Sequence, residues 1–154
     1  MEEIYKCALY DDADIRLIAF SCIREAVENF YPSCGAFFEK IKDVTLQILA
    51  NDTDEEVRKQ AIEVWSSIAD EEIYILKMNR EGSNEAINTH YEQIVDQLIL
   101  NLLKIETDDE TNYDSSIIDV THTSAICLGK FTTILQEKLI KPIVEFSIGN
   151  LSNE

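Results

Sequence analysis

An all-α chain of stacked helical pairs, an α-α superhelix, is the fold class this sequence predicts, and three observations predict it. Apolar residues recur at helical spacing along almost all of the 154 residues. Only 4 Gly and 2 Pro are present, too little turn chemistry for a many-stranded sheet. A pattern near the start of the chain also returns 42 positions later, from Ile15 to Val57.

The elements follow in order. Residues 1–10 read as the last turns of a helix. Ile15, Ala19, Cys22, Ile23, Ala26 and Phe30 then mark one face of a second helix, with Asp12 or Asp14 as its cap. Tyr31-Pro32-Ser33-Cys34-Gly35 makes a turn, and Phe37/Phe38, Ile41, Val44/Thr45 and Ile48/Leu49 mark the next helix. A turn at Ala50-Asn51-Asp52-Thr53-Asp54 offers the cap for a helix carrying Val57, Ala61, Val64, Trp65 and Ile68, with Trp65 expected in the core. Arg80-Glu81-Gly82-Ser83-Asn84 is a longer exposed connection. Beyond it, Tyr91, Ile94/Val95, Leu98/Ile99 and Leu102/Leu103 form a wide apolar stripe. Glu106 to Ser116 is an acidic loop, and Val120, Ser124, Cys127, Leu128, Phe131 and Leu135 fit one face of a further helix. Leu139/Ile140, Ile143/Val144, Ser147/Ile148 and Leu151 make the last, with Pro142 near its start, where a missing N–H is tolerated. At least six helices and no convincing strand result.

The internal repeat narrows the class. Asp14-Ile15-Arg16-Leu17-Ile18-Ala19 aligns with Glu56-Val57-Arg58-Lys59-Gln60-Ala61. A period near 40 with two helices per unit indicates a HEAT- or armadillo-type solenoid, in which neighbouring pairs share one core. A third copy at Asp119-Val120-Thr121-His122-Thr123-Ser124 lacks the Arg and begins 63 positions after the second, from Val57 to Val120. An Asp six residues before that Arg commonly ties HEAT repeats together. Asp52 and Arg58 have this spacing, whereas Tyr10 replaces the acid ahead of Arg16. The expected division is 1–31 (end of one repeat), 34–78 (a second), 88–136 (a third, with the acidic loop 106–116) and 138–154 (start of a fourth).

Composition excludes several functions. With 30 Asp and Glu against 13 Lys and Arg, the charge of −17 argues against nucleic-acid binding and for basic partners. An apolar content of 45% excludes a disordered acidic tail. No apolar run is long enough for a membrane span, and Met1-Glu2-Glu3 is the opposite of a secretory opening. The cysteines Cys7, Cys22, Cys34 and Cys127 form no C-x-x-C pair and read as reduced, partly buried thiols in a cytosolic or nuclear setting. Catalysis is not expected. His90 and His122 have no metal-ligand spacing, and Cys127 five residues after His122 is off its helical face. Asp108, Glu110, Asn112, Asp114 and Asp119 match positions of a calcium loop, but Tyr113 occupies the place that needs Gly. No metal or cofactor is assigned.

One resemblance is specific. Ala61-Ile62-Glu63-Val64-Trp65-Ser66-Ser67-Ile68-Ala69-Asp70-Glu71-Glu72 resembles the importin-β segment in which a Trp-Ser pair is followed by Asp-Glu-Glu. That family has an acidic loop about 30 residues later, here Asp108-Asp109-Glu110 to Asp114. Ile126-Cys127-Leu128 to Pro142-Ile143-Val144-Glu145-Phe146 resembles the helices that follow, and Asp12 to Phe30 an earlier repeat. The resemblance implies a piece from the N-terminal half of a nuclear transport receptor found in the cytoplasm, the nucleus and at the nuclear pore. It implies three partners: the basic helix of importin-α or basic cargo, the GTPase Ran in its GTP form, and Phe-Gly nucleoporins. Asp108, Asp109, Glu110 and Asp114 are then the residues for Ran or basic cargo. Thr111, Asn112 and Tyr113 depart from the family's Asp run and Trp, which implies a weaker contact. Glu63, Asp70, Glu71 and Glu72 are candidates for the inner acidic surface, with a solvated helix face as the alternative. Tyr5, Tyr10, Phe37 and Phe38 are candidates for outer Phe-Gly grooves, with core packing favoured. A different scaffold, such as a phosphatase scaffold subunit or another transport receptor, is the competing identity.

Overall fold

The structure is a computed structural model, and it describes residues 1–102 and 119–151. The acidic-loop candidates Asp108, Asp109, Glu110 and Asp114 lie outside the described residues. Among the described residues seven α-helices follow one another: α1 (Glu2–Cys7), α2 (Ala13–Phe30), α3 (Phe38–Asn51), α4 (Glu55–Lys77), α5 (Ala86–Leu102), α6 (Val120–Leu135) and α7 (Ile140–Leu151). Short 3-10 turns at Tyr31–Ser33, Gly35–Phe37 and Gln136–Leu139 join some of them. No strand occurs among the described residues.

The starts are set by acidic caps. Asp12 accepts from the backbone N–H of Asp14 and Ile15, Asp54 from Val57, and Asp119 from His122. Each carboxylate fills an orphan donor of the first turn, where the helix dipole also favours negative charge. Asp119 is therefore already used as a cap.

Helices α2, α4 and α6 pack side by side as one layer, while α1, α3 and α5 line the other and lean on their partners. Trp65 is fully buried between the layers, edge-on to Phe131 and to the His90 ring. The stripes predicted for α3 and α6 are the ones that are buried: Phe38, Ile41, Val44, Thr45, Ile48 and Leu49 in the former, and Val120, Ser124, Cys127, Phe131 and Leu135 in the latter. The α2 stripe needs correction. Its core face is Ala19, Phe20, Ile23 and Val27, whereas Cys22 and Phe30 are exposed. Cys7 is exposed as well, so only Cys34 and Cys127 are buried thiols.

The repeats are tied by a polar ladder between the end of one helix and the Arg of another. Arg16 Nη2 donates to Asp52 Oδ1 at 3.0 Å, and its Nε lies 2.7 Å from Oδ2. The same guanidinium donates to the carbonyls of Tyr10 and Asp11. Asp52 thus serves the Arg of the preceding repeat rather than its own Arg58. Arg58 reaches forward instead, donating from Nη2 to Asn101 Oδ1 at 2.8 Å. Asn101 is buried near the end of α5 and also donates to Ser124 Oγ. The second joint is therefore neutral on one side, and the buried Arg58 Nε has no hydrogen-bond acceptor among the described residues. Asn101→Asp restores the charge pattern of the first joint, and its expected effect is a gain of about 1 kcal/mol. A higher urea midpoint with unchanged slope checks it, and a lower one refutes it.

Candidate binding surfaces

Helix α4, in the layer with α2 and α6, carries Glu63, Asp70, Glu71 and Glu72. Glu63 is half-buried and accepts from Arg24 Nη1 at 2.5 Å. Asp70 is exposed and accepts from Lys130 Nζ at 2.6 Å, and Glu28 accepts from Ser67 Oγ at 2.8 Å. These pairs bridge neighbouring helices of the layer. Among the described residues no base pairs with Glu71, and its carboxyl is held above its ordinary range by burial, then by the charges of Asp70 and Glu28. Glu63, Asp70 and Glu71 therefore lie on one surface, with two of the three already facing a cation. A basic ligand has to compete with Arg24 and Lys130, and exposed pairs of this kind contribute only about 0.2–1 kcal/mol each.

Glu72 is not part of that surface. Its helix runs on to Lys77, and the periodicity turns Glu72 inward to 2% exposure, so it is neither on the acidic surface nor on a solvated face. There its Oε1 accepts from the Tyr31 hydroxyl at 2.6 Å and from the Ile87 backbone N–H at 3.3 Å, with Ala86 N–H also directed to it. The carboxylate caps α5 from a different helix. Asn84 completes the cluster, donating from Nδ2 to the Tyr31 carbonyl at 2.7 Å. Gly35 permits this approach, since a Cβ there would stand 2.7 Å from Asn84 Oδ1. Desolvation pushes the Glu72 carboxyl up, against the hydrogen bonds that favour its charged form.

A groove of about 770 Å³ opens between α5 and α7 in the other layer. Tyr91, Val95, Ile99, Leu100 and Phe146 supply apolar lining, and Lys138, Lys141, Glu92, Asp96 and Glu145 supply mixed charge. The wide apolar stripes of these two helices were its sequence signal, although width alone reads equally well as burial on two sides. The aromatic residues considered for such grooves lie elsewhere. Tyr5 and Phe38 are core residues, Phe37 is half-buried, and Tyr10 is exposed beside a smaller cavity of about 260 Å³ at the Arg16–Asp52 joint. A Cys127 nucleophile is excluded: the thiol is fully buried and desolvation pushes it up to about 12.

No family model matches the chain. It is 27% identical to importin subunit beta-1 of Arabidopsis thaliana over 154 residues, covering 95% of this chain and 17% of that protein. It is 25% identical to importin subunit beta-1 of Schizosaccharomyces pombe over 160 residues, covering 99% of this chain and 18% of that protein. The homologues of this chain are importin-β proteins. The fold agrees: a crystal structure of importin-β in a polyethylene glycol condition superposes with a TM-score of 0.87 at 24% identity, over 98% of this chain and 19% of that one. Yeast importin-β gives a TM-score of 0.81 at 19% identity, over 97% of this chain and 18% of that one. The two layers of paired helices are thus a HEAT-repeat solenoid of the importin-β kind. The chain spans under a fifth of the length of the importin-β relatives it matches.

Proposed function

We propose that this chain works as part of a nuclear transport receptor, passing between cytoplasm and nucleus by binding other proteins rather than by catalysis. Its relatives bear the name importin subunit beta-1, which supports the transport role. The observation that carries the binding mode is the groove between α5 and α7, whose volume of about 770 Å³ exceeds that of an aromatic side chain and whose lining combines apolar and charged residues. A Phe-Gly nucleoporin segment is its occupant in this reading. The Glu63, Asp70 and Glu71 surface serves the basic importin-α helix or basic cargo, and Asp108, Asp109, Glu110 and Asp114 serve Ran-GTP.

Calorimetric titration with a Phe-Gly peptide tests the groove. Saturable binding is expected, weakened at least about tenfold by Leu100→Glu, as loss of one buried Leu-sized contact implies. Leu100 is about half exposed and outside the core, so the variant is expected to keep its fold by circular dichroism. An unchanged affinity in Leu100→Glu, or no binding by the wild type, overturns the groove assignment. Parallel pull-downs with Ran-GTP and the importin-α helix are expected to weaken at about 0.5 M salt, where the screening length falls below about 5 Å.

A further inference from the structure

Every seventh residue of α4 reads Glu56, Glu63, Asp70, Lys77. Seven residues are close to two turns, so the four form one stripe with steps of about 10.5 Å, on the side of α4 away from the core. The charge changes sign at the last step. Each acid of the stripe already holds a cation of this chain: Glu56 holds Lys59, Glu63 holds Arg24 and Asp70 holds Lys130. At the far end Lys77 is joined by Arg80, and among the described residues neither is paired with an acid. The end of α4 places this second cation. Asn79, left-handed at φ 48°, turns the chain back, and the Arg80 backbone N–H donates to the Ile75 carbonyl at 3.1 Å. The Arg80 guanidinium then lies 5.2 Å from the centre of the Tyr74 ring. Tyr74 and Met78, four residues apart, are both exposed, and no acid occurs from Ile73 to Arg80, the next being Glu81. This exposure does not depend on what precedes or follows the chain. Helix α4 lies between α2 and α6, whose last residues, Phe30 and Leu135, are level with Glu72 in the 42- and 63-residue registers. The last turn of α4 stands clear of both, and helices stacked beyond them would leave it uncovered.

We propose that this stripe is a docking site of two signs: a partner peptide lays its basic run on Glu63, Asp70 and Glu71 and an adjoining acidic, apolar stretch on Tyr74, Lys77, Met78 and Arg80. The inference rests on the basic-ligand reading of the Glu63, Asp70 and Glu71 surface and adds the second half of the ligand. Charge complementarity selects that half. A carboxylate arriving at Lys77 and Arg80 displaces no acid of this chain, whereas a base arriving at Glu63 or Asp70 has to displace Arg24 or Lys130. A guanidinium laid against an aromatic ring keeps its N–H edge free for a carboxylate, and Tyr74 and Met78 offer contact to an apolar neighbour of that acid. An anionic lipid surface fits less well, because two cations stand against a chain of charge −17. The change of sign also fixes which way the ligand lies, since turning it round opposes like charges at both ends.

Fluorescence anisotropy with labelled peptides is the test. The probes are a Lys/Arg-rich run alone, the same run with a short Glu/Leu extension at either end, and the same run with Ser extensions of equal length. A Glu/Leu extension at one end only is expected to tighten binding about three- to tenfold over its Ser counterpart, within what two exposed ion pairs supply. Lys77→Ala/Arg80→Ala changes two exposed residues. It is expected to abolish that gain, while the basic run alone binds at least as tightly as before and a melting curve confirms the fold. A gain at neither end, or a gain that survives in the double variant, overturns the proposal and leaves the acidic-surface reading standing as long as the basic run binds. If the basic run itself does not bind, that reading falls and the proposal with it. Co-sedimentation with phosphatidylserine vesicles that the double variant loses would assign the tip to a lipid surface and overturn the peptide.

Discussion

Asp52→Ala is expected to destabilise the chain by about 3 kcal/mol, the lower end of what breaking a partly buried ion pair costs. For a chain of this size that corresponds to a fall in Tm of about 6–12 °C. Arg16 and Asp52 are both sheltered, with side-chain exposures of 13% and 5%, so water cannot replace the lost partner freely. The figure stays at the low end because the Tyr10 and Asp11 carbonyls continue to accept from Arg16. Asp52 Oδ1 also accepts from Asp54 N–H at 2.9 Å, so the substitution removes a turn bond at the start of α4 as well. Arg16→Ala/Asp52→Ala should cost less than the two single changes added together, by about 1 kcal/mol or more, since one interaction is being removed twice. Urea denaturation of the four proteins measures this. Additive effects would show that the ladder is a coincidence of packing rather than a bond between repeats.

Glu72→Ala is expected to cost about 3–5 kcal/mol, because it orphans the buried Tyr31 hydroxyl and the N–H groups at the start of α5 together. Glu72→Gln keeps an acceptor and should cost less, which makes it the reference for pH. The Glu72 carboxyl is raised in the folded protein, mainly by burial, so between its ordinary value and its folded value the native state binds more protons than the unfolded state. Stability from this residue is therefore fully present below about pH 4.3 and is lost as the pH rises through the folded value. Relative to Glu72→Gln, the wild type should gain stability as the pH is lowered from neutral. Paired urea melts at two pH values test the sign, and a wild type that loses ground on acidification contradicts it.

These two residues also show where sequence reading succeeds and where it stops. The 42-residue repeat and the acidic caps were legible because they depend on local spacing, and the buried stripes of α3 and α6 followed from their period. The α2 stripe came out rotated for a physical reason. A helix in a solenoid layer has two flanks of similar character, and only the presence of a neighbour decides which is buried. Cys22 and Phe30 match the pattern and lie on the flank without one. Glu72 was misread because a carboxylate in an Asp-Glu-Glu run looks solvated, and its partners Tyr31 and Ile87 are 41 and 15 positions away. Asn101 gave no signal at all, since an uncharged residue in a ladder position is invisible without the Arg58 that points at it. The α5–α7 groove was partly legible through the apolar width of both helices, although width does not distinguish a groove from a core.

The ladder has a kinetic consequence. Its bonds connect residues at short to moderate separations: 36 positions for Arg16 with Asp52, 43 for Arg58 with Asn101, and 65 for Glu55 with Val120. Loop-closure entropy grows only slowly over that range, so each adjacent pair can assemble without waiting for the rest. Folding can then begin at any helical pair and spread outward, with α4 as the natural seed because it alone among α2, α4 and α6 is enclosed from both sides.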